Sequence, residues 1–282
     1  MTLDPAIEGF EYAPIRKRYD ERDCSLYALG VGATELPFVY ERGLKALPTF
    51  PVVPPFAALM LMEDELGIDL ATVLHGEQRL QLHRPVPPAG ELDIRAHVSK
   101  LWDKGSGAII DTTAEVSVDG EPVATAVYSS FVRGGGGFGG ERGSGLSAPA
   151  PDGPPDAVVV EATLPQQAQL YRLNGDTNPL HVDPEFAGRA GFERPILHGL
   201  CTYGFAARMA LPVLADGEPS NITAVNARFT GVVYPGETLT VELWQTGTEG
   251  AYGRVSVAAR QSVVIDPLEL STTAARESAT GH

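Results

Sequence analysis

A short polar segment in the second half of the chain combines three residue types that could perform acid–base chemistry. Asp176, Asn178 and His181 lie within six residues. On one continuous helix the carboxylate and the imidazole would point about 140° apart, and Pro179 disfavours such a helix. Pro179 also favours an extended Asn178, and Gly175 permits a tight backbone before Asp176. We therefore predict a folded-back loop on which the three polar side chains converge.

A carboxylate and an imidazole that share one water molecule can act as a general acid and a general base. Hydration of an α,β-unsaturated thioester needs both, because water loses a proton and Cα gains one. Both groups would lie on one side, so we expect the hydroxyl and the hydrogen to add to the same face. Asn178 could orient the water or hold the carboxylate. Taken singly, Asp176 and Asn178 could equally cap a helix or form a turn.

A second feature is the His198-Gly199 pair, which lies within an apolar helical stretch, residues 195–206. We predict that Gly199 opens a buried helix there. Backbone N–H groups at a helix N-terminus have no partner inside the helix. Gly199 lacks a Cβ, so a substrate carbonyl can approach its N–H closely. We expect the thioester oxygen to bind there as charge develops on it. His198 is a competing catalytic histidine, but its place beside Gly199 favours a capping or packing role.

Composition excludes several classes of protein. The 282 residues carry a formal net charge of −15, whereas a nucleic-acid binder needs a basic face. Only two cysteines occur, Cys24 and Cys201, which excludes a disulfide framework and a multi-cysteine zinc site. We predict no metal and no redox cofactor.

Targeting features are also missing from the sequence. No apolar run reaches the ~18 residues that a membrane span needs. The first 18 residues do not resemble a signal peptide, and the last four, ATGH, do not resemble a peroxisomal address. We expect a cytoplasmic protein without a membrane partner.

The chain divides into two related halves. Residues 134–155 are so rich in Gly and Pro that we predict a linker, with one half at residues 1–133 and the other at 156–266. We expect residues 267–282 to form a flexible tail. A turn containing Pro and Gly-Glu occurs in each half, and its glycines are Gly90 and Gly236, an offset of 236 − 90 = 146 residues.

Each half also has an apolar helical stretch introduced by Pro, residues 54–62 and 195–206, followed by long alternating runs. Alternating strands bury one face, and an almost entirely apolar helix belongs inside. We therefore predict an α+β double hot-dog, in which each repeat wraps an antiparallel sheet around a buried central helix. The alternative is a pair of unrelated α+β domains, in which case the Gly-Glu turns shared by the two halves would be a coincidence.

The segment GDTNPLH, followed by AGFERPILHGLCTYGFAAR, resembles the hydratase 2 motif of the MaoC-like family, which includes the hydratase part of peroxisomal multifunctional enzymes. In the first half, VLHGEQRLQLHRPVPPAGEL, LWDKGSGAII and FVRGGGGFGG are similar to stretches of the same enzymes. The resemblance covers residues 19–261. It implies an (R)-specific enoyl-CoA hydratase that adds water reversibly to trans-2-enoyl-CoA, giving (3R)-3-hydroxyacyl-CoA. It also implies a homodimer that needs no cofactor, since coenzyme A is part of the substrate.

The resemblance assigns roles to individual residues. Asp176, Asn178 and His181 match catalytic residues, and Gly199 matches the contact to the thioester. The expected substrate-binding residues are His75, Gly76, Lys104, Gly175, Thr177, Pro179, Leu180 and Phe229. Asn174 departs from the family, which usually has a small residue such as Ser there, and we expect it to tune the loop.

Residues 35–55, the counterpart of the polar loop in the first half, contain neither Asp nor His. We therefore predict one active site per chain, with the first half supplying the acyl-chain pocket. Three other functions remain open. A dehydratase acting on acyl-carrier-protein thioesters would need a basic docking patch, and the sequence shows no strong one. A hot-dog thioesterase would direct water to the carbonyl, and a non-catalytic acyl-CoA binder would need neither Asp176 nor His181.

Overall fold

Ten antiparallel strands form one continuous sheet in the computed structural model, which describes residues 2–273. The strands are β1 (Ile15–Tyr19), β2 (Val73–Leu82), β3 (Gly90–Asp103), β4 (Gly107–Val118), β5 (Glu121–Arg133), β6 (Ala157–Ala162), β7 (Ile222–Phe229), β8 (Thr238–Gln245), β9 (Gly250–Val257) and β10 (Ser262–Thr272). The α-helices are α1 (Glu21–Gly30), α2 (Leu36–Val39), α3 (Phe56–Leu59), α4 (Met62–Leu66), α5 (Gln167–Tyr171), α6 (Pro184–Arg189) and α7 (Gly199–Leu214).

The strand order shows the internal repeat. It runs β1-β3-β4-β5-β2-β7-β10-β9-β8-β6, so the second half repeats the first in mirror order. The halves join where β2 pairs with β7, with Gln78 opposite Ala227 and Gln81 opposite Ala224. This pairing covers an edge of each half and leaves β1 and β6 as the edges of the combined sheet. The predicted double hot-dog is confirmed.

Helix α7 is the buried central helix of the second half. Every residue from Leu200 to Leu211 is buried, as its almost wholly apolar sequence predicts. It packs against β6, β7, β8 and β10, and the Tyr203 hydroxyl donates to the carbonyl oxygen of Val225 at 3.0 Å. Within residues 2–273, no helix has the length and apolar character required to cross a membrane.

The first half lacks a matching long helix, so that part of the prediction is wrong. Residues 54–62 contribute only the four-residue α3 and the start of α4, with a turn at Met60 and Leu61 between them. The reason lies just beyond the apolar stretch, because Glu63, Asp64 and Glu65 are exposed and hold α4 at the surface. The interruption leaves room inside the first half.

The predicted tail begins too early. Residues 267–272 continue β10, which pairs with both β7 and β9. Leu268 and Leu270 point inward and are buried, since the strand alternation extends past Asp266. Residues 274–282 of the predicted tail lie outside the described residues.

Residues 134–155 form neither helix nor strand, yet the first half holds them in place. The Asp103 carboxylate accepts hydrogen bonds from the N–H groups of Gly137 and Gly139, at 2.9 and 2.7 Å. Glu77 accepts from the N–H of Leu146 at 2.7 Å. The linker is therefore an ordered strap against the first half.

Candidate active site

The predicted folded-back loop follows α5. Gly175 has φ of 130°, a conformation that favours glycine, and it turns the chain so that Asp176 faces inward. The N–H of Asn178 donates to the Asp176 carboxylate at 3.2 Å. The Asn178 side-chain oxygen then accepts from the N–H of Leu180 at 3.0 Å and caps a short 3-10 turn that ends at His181. These local bonds place both Asp176 and His181 in the interior.

The carboxylate and imidazole converge as predicted, and a second imidazole joins them. Three polar atoms lie within 4.8 Å of one another: one oxygen of Asp176, one ring nitrogen of His181 and one ring nitrogen of His198. A hydrogen bond to water spans about 2.8 Å, so a separation of up to 4.8 Å is short enough for one water molecule to bridge the Asp176 and His181 side chains.

The tautomer of His181 follows from its main-chain contact. Its Nδ1 lies 2.9 Å from the carbonyl oxygen of Ile196, and a carbonyl oxygen can only accept. Nδ1 therefore carries the hydrogen, which leaves a lone pair on Nε2 in the neutral ring. That nitrogen is the one free to take a proton.

Burial sets the protonation states of the pair. It raises the pKa of Asp176 to about 7, although the Asn178 N–H and the charge of Arg172 partly oppose this. It lowers the pKa of His181 to about 4, opposed by the bond to Ile196. Between about pH 4 and pH 7 the site therefore holds a protonated carboxyl group and a neutral imidazole. These are the states of a general acid and a general base.

A cavity of about 450 Å³ opens beside the pair. It crosses the seam between the halves, with its polar wall in the second half and much of its apolar wall in the first. The predicted site residues that line it are His75, Gly76, Asp176, Asn178, Leu180, His181, Gly199 and Phe229. The apolar wall from the first half includes Phe56, Leu59, Met60, Met62 and Leu70. The room left by the interrupted helix thus becomes an apolar pocket next to the acid–base pair.

Gly199 lies where α7 meets the cavity. As the first residue of the helix, its N–H has no acceptor within the helix. A Cβ at this position would lie 3.3 Å from the Phe229 ring, and that ring packs on His75 with centroids 5.0 Å apart. The absence of a side chain therefore leaves the N–H accessible between the helix end and an aromatic wall.

Four predicted binding residues do not line the cavity. Gly175 and Thr177 are exposed and Pro179 is half-buried, so they shape the loop. Lys104 donates from Nζ to the carbonyl oxygens of Arg142 and Gly143 and thereby holds the linker. For Lys104 to contact the substrate as predicted, its ammonium group would have to break these hydrogen bonds.

His198 has the packing role that its place beside Gly199 favours. Its ring stacks on that of His181, with centroids 3.7 Å apart and planes 29° from parallel. The signal in the sequence was the position of a histidine immediately before a buried helix.

Comparison with known families gives two matches that together cover most of the chain. Residues 147–265 match the MaoC like domain. Residues 18–134 match the MFE-2 hydratase 2 N-terminal domain. The boundary between the two matches falls within the Gly- and Pro-rich linker.

Individual relatives agree with these matches. Enoyl-CoA hydratase ChsH3 of Mycobacterium tuberculosis is 41% identical over 283 residues, which are 96% of this chain and 98% of the relative. Mouse peroxisomal multifunctional enzyme type 2 is 44% identical over 253 residues, 85% of this chain and 34% of the mouse protein. The chain thus spans about a third of that relative.

The crystal structure of a MaoC-like dehydratase from Phytophthora capsici aligns with a TM-score of 0.86 at 33% identity, covering 97% of this chain and 98% of that one. The likeness therefore extends over both halves and includes their arrangement. The chain belongs to the MaoC-like family, in the group that carries an MFE-2 hydratase 2 N-terminal domain.

Proposed function

We propose that the protein is an (R)-specific enoyl-CoA hydratase, which adds water reversibly to trans-2-enoyl-CoA and forms (3R)-3-hydroxyacyl-CoA. The observation that carries the proposal is the buried pair of Asp176 and His181, with polar atoms within 4.8 Å, on the wall of a cavity of about 450 Å³. Relatives at about 40% identity are named enoyl-CoA hydratases, which supports the same conclusion.

Substrate binding follows from the two walls of the cavity. The acyl chain lies against the apolar residues from the first half, because burial of apolar surface there is favourable. The thioester oxygen faces the N–H of Gly199, which stabilises the negative charge that develops on that oxygen. The Cα–Cβ double bond then lies beside Asp176 and His181.

The chemical step uses the protonation states set by burial. Nε2 of His181 takes a proton from the water held between the two side chains, and the hydroxide bonds to Cβ. The protonated carboxyl of Asp176 gives its proton to Cα. The step leaves a carboxylate and an imidazolium, and proton transfer through the next water restores both. Both groups lie on one side of the substrate, so the addition is syn, and dehydration is the reverse.

Coenzyme A is the carrier that we favour over acyl carrier protein. A carrier protein presents an acidic surface and would need a local basic docking patch, and the sequence shows no strong one. We further propose that the reaction needs no metal or redox cofactor, because an acid–base pair and a main-chain donor supply every proton and charge contact in the step.

We also propose a cytoplasmic homodimer without nucleic-acid or membrane partners. Cys24 and Cys201 are buried and unpaired, as is usual in a reducing compartment. Large apolar side chains remain exposed, among them Leu36, Leu173 and Val160, and such surface often marks a protein contact. Light scattering in solution tests the dimer, and a monomeric mass at micromolar concentration would refute it.

The loss of enoyl-thioester absorbance with crotonyl-CoA and with longer enoyl-CoA substrates tests the function. Asp176→Ala and His181→Ala should each lower turnover at least ~100-fold while the variants remain folded by circular dichroism. Chiral separation of the product should give the 3R form. Full activity in either variant would reject the acid–base assignment, and a 3S product would reject syn addition as drawn.

A further inference from the structure

His198 is a buried polar residue that the proposed reaction does not use. It is fully buried, and the cavity wall includes its neighbours Leu197 and Gly199 but not His198 itself. Its ring nevertheless stacks on the ring of His181 at 3.7 Å. Its Nε2 lies 3.3 Å from the main-chain oxygen of Asp176. One side chain therefore contacts both members of the acid–base pair from the side away from substrate.

The contacts of His198 define its tautomer. The oxygen of Asp176 can only accept, so Nε2 of His198 carries the hydrogen. Nδ1 is buried and has no hydrogen-bond partner among residues 2–273. A proton on Nδ1 would create a buried charged N–H without an acceptor, which is strongly unfavourable. The His198 ring is therefore neutral, with a buried and unpaired lone pair on Nδ1.

We propose that His198 is a positioning residue of the hydratase reaction: its neutral ring supports the imidazolium that His181 becomes, and its Nε2–H fixes the main chain of Asp176. The inference rests on the proposed function, because only turnover puts a proton on His181. A cation lying over the face of a neutral aromatic ring is stabilised, and more so where water is excluded.

Among the described residues, His198 supplies the ring that stacks on His181, and the Asp176 carboxylate left by the step stabilises the same imidazolium. The other titratable or charged groups near the two rings are Tyr171, Arg172, Asp176 and Cys201. Burial raises the pKa of Tyr171 and of Cys201 well above their usual values, so both stay neutral. Arg172 opposes a second positive charge. Burial first, and then the neighbouring His181, hold the pKa of His198 well below its usual value, so the two stacked rings together carry at most one positive charge.

Two substitutions separate the two contacts. His198→Gln keeps an N–H donor but removes the stacked ring, and His198→Phe keeps a flat ring but removes the donor. We expect His198→Gln to lower kcat about tenfold to thirtyfold with KM for crotonyl-CoA within about twofold of wild type. His198→Phe should retain more of kcat than His198→Gln, because the ring is still present.

Tyr203→Phe is the matched control, since it removes a buried side-chain hydrogen bond from the same helix, to the Val225 oxygen. It should lower thermal stability and leave kcat unchanged. Wild-type kcat in both His198 variants would overturn the inference. The inference would also be overturned if Tyr203→Phe, at a similar loss of stability, lost as much kcat as the His198 variants.

Nitrogen-15 NMR of the wild-type protein tests the protonation state of His198 even if a variant fails to fold. His198 should show a neutral ring protonated on Nε2 at pH 6, and an imidazolium or an Nδ1-protonated ring would overturn the inference. A wild-type enzyme without hydratase activity would instead reject the proposed function. If the wild-type protein is an active hydratase and the His198 variants have the same kcat, only the inference about His198 is rejected.

Discussion

At the scale of single residues, burial rather than residue type makes the site reactive. An exposed aspartate is ionised at neutral pH, and it would be a poor acid for protonating carbon. In the interior, the pKa of Asp176 rises to about 7 and that of His181 falls to about 4. The two pKa values move in opposite directions because desolvation disfavours the negative charge of the carboxylate and the positive charge of the imidazolium alike. The resting pair is therefore uncharged, with a carboxyl group that can give a proton and an imidazole that can accept one.

Asp176→Asn should stabilise the protein at alkaline pH. The folded-state pKa of Asp176, about 7, lies above the value of 3.8 in the unfolded chain, so stability is lost as the pH rises from about 4 through 7. The amide cannot ionise, so the variant should gain at most roughly 4 kcal/mol at pH 8. The gain should disappear near pH 4. Calorimetric unfolding of both proteins from pH 4 to 8 measures it, and a gain independent of pH would contradict the assignment.

At the scale of elements, two chain segments supply the chemistry and one long helix relates them. The loop after α5 holds the acid–base pair, and the N-terminus of α7 supplies the main-chain donor. His198 immediately precedes α7 and contacts Asp176 in the loop. The strands of the first half complete the wall through His75 and Gly76. A displacement of the helix end would therefore affect substrate binding and chemistry together.

Gly199→Ala should reduce activity without weakening the fold. Its new Cβ would lie 3.3 Å from the Phe229 ring, where the thioester oxygen should approach. We expect kcat/KM to fall about tenfold to a hundredfold. Alanine favours a helix more than glycine does, which offsets the tight contact with Phe229, so the melting temperature should change little. Gly188→Ala is the control, because a Cβ there meets nothing within 4 Å, and equal activity losses in both variants would argue against a special role for Gly199.

Asp103→Asn should loosen the linker. The carboxylate accepts from the N–H groups of Gly105, Gly137 and Gly139, and an amide cannot accept through both of its polar atoms. Tryptic cleavage after Arg142 should therefore become several-fold faster. Asp152→Asn, an exposed change in the same linker, should cleave at the wild-type rate. If Asp103→Asn is cleaved no faster, the strap does not depend on this carboxylate.

At the scale of the whole molecule, the duplicated fold has lost its symmetry at the site. A second cavity of about 150 Å³ lies at the opposite end of the β2–β7 seam, where Leu82 and Ile222 line it. The described residues that line it include neither Asp nor His, and Lys45 forms an ion pair with Glu218 across it. The second half carries the acid–base loop and the long helix, whereas the first half has only short helices at residues 56–66 and supplies the apolar wall of the pocket.

Titration with a tight-binding substrate analogue should therefore give one site per chain. Isothermal calorimetry with a non-hydratable acyl-CoA analogue measures the stoichiometry directly. Asp176→Asn should retain this stoichiometry, since the cavity remains. Two equivalent sites per chain would show that the smaller cavity also binds thioester and would contradict the asymmetry of the halves.

The sequence alone determined the features that depend on neighbours along the chain. Gly175 and Pro179 define the loop, an apolar run beginning at Gly199 defines the central helix, and the recurring Gly-Glu turns at Gly90 and Gly236 reveal the repeat. Each of these signals is local, because turn conformations and the periods of helices and strands are set within a few residues.

Only the tertiary structure decided the rest, because it depends on contacts between residues far apart in the sequence. The apolar run before Glu63 breaks where packing brings α4 to the surface, and Lys104 contacts a linker some 38 residues away. Residues beyond Asp266 become a strand because β7 and β9 supply partners. The stacking of His198 on His181 also depends on contacts between distant residues. So does the shifted pKa of Asp176, because desolvation is a property of the assembled core.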